Sequence, residues 1–196
     1  MLILASSSPR RRELLQSLGL KFEVAVKPVS EAVPAEMAPG AVVELLSLRK
    51  AQTVAAEREA GLVIGSDTVV VHNGQILGKP QDHHHAKEML TKLQGSAHYV
   101  YSGVAIVDAA TGNQQVTHQR TKVFLNPMTT TEIEAYVSTG EPMDKAGAYA
   151  IQGVASIFVA GIEGCYFNVV GLPLERLAYL LKKMNYHVLD NVCLNQ

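Results

Sequence analysis

The sequence predicts an α/β fold, a mixed, twisted sheet with flanking helices in one domain spanning residues 1–196. Three observations carry this expectation. Short apolar runs alternate with helical patterns along the chain, as strands covered by helices do. The run from Leu62 to Val71 is nearly continuous in β-branched residues, as in a central strand buried on both faces. Asn73-Gly74 follows it, a two-residue hairpin signal that adds an antiparallel neighbour.

In chain order, Leu2–Ala5 reads as a strand. Pro9–Leu18 reads as a helix, with Ser8 as its N-cap and Gly19 as its stop. Phe22–Val26 reads as a second strand, followed by a Pro-punctuated loop holding Glu31. A helical pattern runs from about Ala41 to Glu59, and the Leu62–Val71 strand and the hairpin come next. Asp82 opens a helix to Gln94 that stops at Gly95. Tyr99–Val107 and Gln115–Phe124 read as long strands around Thr111-Gly112, and Thr129–Tyr136 as a helix with a Thr/Glu capping pattern. The stretches Gly147–Gln152, Ser156–Val159 and Tyr166–Val170 alternate with glycines and are expected to return to the sheet. Pro173 starts a last helix to about Met184, and the tail from about residue 186 is expected to be loosely held.

Composition narrows the function classes. Lys and Arg number 17 against 18 Asp and Glu, a net charge of −1, which argues against a protein whose main partner is a long nucleic acid. No apolar run approaches the roughly 18 residues that span a bilayer, so no membrane partner is expected. Met1-Leu2-Ile3-Leu4 begins as a strand with no secretory pattern, and the expected location is cytoplasmic. Cys165 and Cys193 are too few and too far apart for a disulfide framework or a zinc motif.

Two local anomalies point to chemistry. Arg10, Arg11 and Arg12 lie in the first turn of a helix, whose partial positive charge they oppose at about 0.3–1 kcal/mol each. An arbitrary basic run is a solvated helix face, but here an oligophosphate would resolve the conflict. The first-turn N–H groups, the hydroxyls from Ser6 to Ser8 and the arginine forks all donate to phosphate oxygens. The second anomaly is Asp67, a carboxylate inside a β-branched run, which is costly to bury unless it is paired or binds a metal. A strand ending at Gly65, with Asp67 in a turn, fits less well because Val69-Val70-Val71 continues the run. Asp67 is therefore a candidate metal ligand or general base. Glu31, Lys50 and Lys79 would each be an ordinary solvated residue alone. Together with the arginines, the two lysines offer the positive charge that a triphosphate–metal complex needs. His83-His84-His85 cannot converge on one ion, since consecutive helical residues point about 100° apart. The tyrosines read as core and rim.

Taken together, Ala5-Ser-Ser-Ser-Pro-Arg-Arg, Glu31, Arg49-Lys50-Ala51, Gly65-Ser-Asp-Thr, Gly78-Lys-Pro, the block Asp144 to Gly153 and Gly171-Leu-Pro resemble the Maf family of nucleoside triphosphate pyrophosphatases. The resemblance implies a fold similar to the inosine triphosphatase (Maf/Ham1) superfamily. It also implies hydrolysis of a nucleoside triphosphate to the monophosphate and pyrophosphate with Mg²⁺ or Mn²⁺. By the same carry-over, Asp67 would be the catalytic acid/base, and Glu31 with Asp67 would hold metal. Ser6, Ser8, Arg11, Lys50 and Lys79 would bind phosphates. Arg10, Thr68 and Gln152 stand at the positions that divide the family by substrate. They resemble the branch acting on dTTP and UTP, with modified pyrimidine nucleotides as further candidates, and the amide of Gln152 offers a donor and an acceptor to a pyrimidine edge. Ser30 and Ala150 depart from the residues common in the family. Related proteins are often dimers, which leaves a homodimer open. The rival class is a nucleotide-binding regulator of septum formation with little turnover.

Overall fold

Leu2–Leu4 (β1) is wholly buried and pairs in parallel on both sides, with Phe22–Val24 (β2) and with the start of Leu62–His72 (β3). Gln75–Leu77 (β4) folds back on β3 as an antiparallel hairpin. Its turn residues Asn73 and Gly74 have φ of 48° and 76°, both positive, as the type I′ turns favoured in two-residue hairpins require. Ala97–Asp108 (β5), Gln114–Leu125 (β6) and Val159–Glu163 (β7) complete a seven-stranded mixed sheet in the order β2-β1-β3-β5-β6-β7. The computed structural model describes residues 1–192. Its chain divides into two compact units, one of residues 1–67, 102–119 and the chain from Gly171, the other of residues 68–101 and 120–170.

In the first unit the period-two alternation of the strands separates two cores. Leu2, Leu4, Ile64, Val104 and Ile106 face one way, packing with Leu15 of Pro9–Ser17 (α1) and with Leu177, Leu180 and Leu181 of the last helix, Leu174–Lys183. Ile3, Ala5, Val63, Ala105 and Val107 face the other way, onto Ala51, Val54 and Ala55 of Pro39–Ala55 (α2). These strands are apolar on both faces because both faces are covered. Tyr186 and Val188 pack on the first core, and Leu20 bridges to Val192, in the stretch expected to be loosely held. The part of that expectation covering residues 193–196 lies outside the described residues.

The second unit is built on Val70, Leu77, Val100, Val123 and Leu125. His83–Leu93 (α3) presents Ala86, Met89, Leu90 and Leu93 to them at helical spacing, and Thr130–Ser138 (α4) presents Ile133 and Val137. Asp82 caps α3 by accepting from the His85 N–H, and Thr129 and Glu132 form the capping box of α4. His83 and His84 are exposed. Among the described residues no helix is long and apolar enough to cross a membrane.

The expected return of the stretches after Gly147 to the sheet is corrected. Only β7 pairs there, with β6. Residues 146–148 and 154–158 form 3₁₀ turns, and Tyr166–Val170 is an α-helix (α5). The left-handed φ of Gly147 (70°) and Ala148 (60°) and the φ of 144° at Gly153 cannot continue a ladder. A five-residue apolar run also does not distinguish helix from strand by period. The strand at Phe22 and the helix ending at Ala55 are shorter than expected.

His98 on β5 is 1% exposed, and its Nε2 lies 2.7 Å from the hydroxyl of Tyr149, itself buried. Burial, with the nearby charge of His72, pushes His98 down to about 4. As pH falls the unfolded chain takes up the proton first. The contribution of a neutral His98 is therefore complete above about pH 6.5 and is lost on acidification towards pH 4. It amounts to about 3 kcal/mol by linkage. Urea unfolding across this range should show such a decline, reduced in His98→Gln; an equal slope in the variant would contradict the assignment.

Candidate active site

β3 outruns β1. Their pairing ends at Leu4–Ile64, so Gly65, Ser66 and Asp67 extend past the point where the chain leaves β1 through Ser6-Ser7-Ser8 into α1. Asp67 lies within the continuous strand, 9% exposed, as its β-branched surroundings predict. The carboxyl ends of parallel strands are where open α/β sheets gather ligands.

Lys50 reaches Asp67 because α2 lies unusually close to the sheet. A Cβ on Gly65 would collide with the Ser47 carbonyl oxygen and sit 2.9 Å from the Ala51 nitrogen. A Cβ on Gly103 of β5 would collide with the Val43 carbonyl and sit 2.6 Å from Ser47 Oγ. The Ser47 hydroxyl turns inward, donating to the Val43 carbonyl at 2.5 Å, so it adds no unpaired donor to this seam. With the helix seated this way, Lys50 Nζ stands 2.5 Å from Asp67 Oδ1 and 3.3 Å from Glu31 Oε1.

Glu31 itself is exposed, in a loop without regular structure. Arg49 holds that loop: its Nη1 donates to the carbonyls of Ser30 (3.1 Å) and Ala32 (2.6 Å), on either side of Glu31. The Ser30 hydroxyl accepts from the Ala32 N–H at 3.3 Å, which gives this departure from the family pattern a local turn role. Arg49 is a residue that sequence reasoning quoted in a motif without assigning work to it. A guanidinium next to the candidate lysine, 18 residues after Glu31, was the available signal.

The arginines divide. Arg11 is packed in: its Nε donates to the Gly171 carbonyl at 2.8 Å and its Nη1 to Ser6 Oγ at 3.1 Å. Burial pushes the guanidinium below its ordinary value; the charge of Asp67 opposes this and that of Arg10 adds to it. Ser66 donates to the same Gly171 carbonyl (3.1 Å) and to that of Gly103 (2.8 Å). Arg10 is partly covered, whereas Arg12 is exposed. Ser8 occupies the N-cap position, but its side chain makes no capping bond; its N–H donates instead to Ser6 Oγ at 3.3 Å. No acidic residue lies in the first turn, so α1 begins without a negative partner of its own. Beside it an open pocket of about 400 Å³ is lined by Ser6, Ser7, Ser8, Pro9, Arg12, Glu13, Gln16 and Val24.

Ser6, Ser8, Arg10, Arg11, Glu31, Lys50 and Asp67 thus all belong to the first unit, and Arg11, Lys50 and Asp67 form one charged cluster there. Thr68, Lys79 and Gln152 belong to the second unit, where Lys79 and Gln152 are exposed and Thr68 is half-buried. Among the described residues no three His, Cys, Asp or Glu side chains gather to hold a metal by themselves. Two carboxylate oxygens converging on one ammonium are nevertheless a hard-oxygen pair. They fit a divalent cation whose remaining ligands are phosphate oxygens and water.

The chain is also similar to known proteins. The family model described as Maf-like protein matches residues 1–184. A dTTP/UTP pyrophosphatase of Pelotomaculum thermopropionicum is 56% identical over 188 residues, 96% of this chain and 98% of that protein. Those of Desulforamulus reducens and Moorella thermoacetica are 52% and 54% identical, covering 95% and 92% of this chain and 98% and 93% of theirs. The solved structure of the Staphylococcus aureus Ham1 protein superposes with a TM-score of 0.51 over 93% of this chain and 98% of its own, at 12% identity, a likeness of fold.

The seating of α2 is testable through the β3 glycine beneath it. Gly65→Ala should cost at least about 3 kcal/mol in unfolding free energy, or abolish folding, because the new methyl meets backbone. Gly161→Ala in β7, where nothing lies within 4 Å, should stay within about 1 kcal/mol of the parent. Equal effects of the two would show that the close approach is not a constraint.

Proposed function

We propose, from the premise that the chain belongs to the Maf family, that it is a nucleoside triphosphate pyrophosphatase that hydrolyses dTTP and UTP to the monophosphate and pyrophosphate. The observation that carries the mechanism is the Lys50 ammonium held between Asp67 and Glu31. Asp67, or a water that it orients, takes the proton of the water that attacks the α-phosphorus in line. The bond between the α-phosphorus and the bridging oxygen breaks, and pyrophosphate leaves with the electron pair. Ser6, Ser8 and the N–H groups that open α1 donate to phosphate oxygens, and the positive charge of Arg11 and Lys50 opposes the charge that develops on them.

Glu31 and Asp67 would hold a divalent cation, Mg²⁺ or Mn²⁺, which when bound supplies Lewis-acid stabilisation of phosphate charge. The motif resemblance gives Lys79 a further phosphate contact and gives Arg10, Thr68 and Gln152 the choice of base. A pyrophosphate-releasing reaction on pyrimidine triphosphates fits a small-molecule partner, in keeping with the net charge of −1.

Incubation with dTTP, UTP, CTP and GTP plus Mg²⁺ should give monophosphate and pyrophosphate, fastest from dTTP and UTP. Release of orthophosphate and a nucleoside diphosphate would contradict the cleavage position. Asp67→Asn should lower kcat by about 10²–10⁴-fold with the unfolding transition retained; unchanged turnover would remove Asp67 from the chemistry. Chelation should abolish turnover and added Mg²⁺ restore it.

A further inference from the structure

The segment that carries Gln152 is held by a carboxylate that none of the motif readings uses. Glu141 follows α4, and it reaches back under the chain at residues 153–155. Its Oε2 accepts from the Val154 N–H at 2.9 Å, and its Oε1 accepts from the Ala155 N–H at 3.3 Å and from the Tyr136 hydroxyl at 2.8 Å. Burial alone would raise the pKa of this carboxyl, but the Val154 N–H, the Tyr136 hydroxyl and the Ala155 N–H outweigh burial and lower it, with Lys145 adding to the effect.

The backbone is adapted to admit this side chain. Gly153 has φ of 144°, a conformation that disfavours any other residue, and a Cβ there would lie 2.5 Å from Oε2 and 2.8 Å from Cδ of Glu141. The glycine therefore serves two needs at once, the sharp turn after Gln152 and the approach of the carboxylate. On the other side of Gln152 the chain is pinned by the Tyr149 hydroxyl on buried His98 and by the Gly147 N–H donating to the Gly78 carbonyl at 3.0 Å. Ala150, Ile151 and Gln152 form the short stretch between these two anchors, and Gln152 is exposed, as a residue that meets a ligand must be.

We propose that Glu141, seated through Gly153, is a positioning residue for Gln152, fixing the backbone from which its amide addresses the pyrimidine base. The inference rests on the reading of Gln152 as a base-selecting residue. Two backbone N–H bonds to a charged carboxylate, itself held by the Tyr136 hydroxyl, define the position of that backbone, and an amide side chain discriminates uracil from cytosine only if its donor and acceptor are presented at a set place. Without Glu141 the amide keeps its chemistry and loses its place, so selectivity falls while the reacting groups of the first unit are untouched.

The test is a double-mutant cycle on the full chain, with kcat and KM measured separately for UTP and CTP and the unfolding transition recorded for each variant. Glu141→Ala is expected to lower the UTP-over-CTP ratio of kcat/KM about tenfold, chiefly through KM for UTP, with kcat for UTP within about threefold of the parent. Glu141→Gln, which keeps one acceptor oxygen, should lie between. Gln152→Ala should lose the ratio to a similar extent, and adding Glu141→Ala to it should change the ratio no further. Gly153→Ala is the second arm: it leaves Glu141 in the chain, removes its seat and should reproduce the KM effect. A normal ratio in Glu141→Ala and Gly153→Ala, or losses that add in the double variant, would overturn the inference while leaving Gln152 as the selector. A normal ratio in Gln152→Ala would instead overturn the base-selecting reading on which it stands.

Discussion

The flush seating of α2 against β3 and β5 is the constraint on which the charged cluster of the first unit depends. Gly65 and Gly103 remove the side chains that would hold the helix off, and Ala51 and inward-turned Ser47 complete the seam. Interiors are packed densely enough that one methyl at such a contact moves a helix or unfolds it. The spacing along α2 then does the rest. Ser47 and Ala51 face the sheet, and Lys50, three residues beyond Ser47, comes down on Asp67, while Arg49 beside it grips the loop of Glu31. A packing rule and the arrangement of the candidate site are thus one feature read at two levels.

The electrostatics of α1 follow from the same neighbourhood. Three arginines at a helix N-terminus contradict the macrodipole, yet they are not equivalent in the fold. Arg11 satisfies the Gly171 carbonyl and Ser6 Oγ and feels the charge of Asp67, so part of its charge is balanced inside the protein. Its donors also fix the Ser6 loop from which phosphate contacts are proposed. Arg12 remains exposed at the pocket beside the helix. The first turn has no side-chain cap and no acidic residue of its own, which is the feature on which the proposed phosphate contacts rest.

Much of this was legible in the sequence, for identifiable reasons. The continuous β-branched run announced a two-face-buried strand, and a carboxylate within it was expected to be paired or ligating, as Asp67 is paired with Lys50. The Asn73-Gly74 turn and the Thr129/Glu132 capping box are local chemistry and came out as read. The stretches after Gly147 misled because left-handed glycines and Ala148 fold the chain into turns that no hydrophobic period reveals. Arg49, Glu141 and Gly171 were hidden for a different reason. Each acts through a backbone group brought near by folding, and a backbone carbonyl or N–H has no letter in the sequence. Thr68 and Gln152 were singled out through the motif resemblance, and Lys79 by its charge as well.

The central claim is that water activated at Asp67 attacks the α-phosphorus. The most direct measurement is hydrolysis of UTP in ¹⁸O-labelled water followed by mass spectrometry of both products. Attack on the α-phosphorus puts the label in the phosphate of the monophosphate and none in pyrophosphate. Label in pyrophosphate would mean attack on the β-phosphorus and would contradict it.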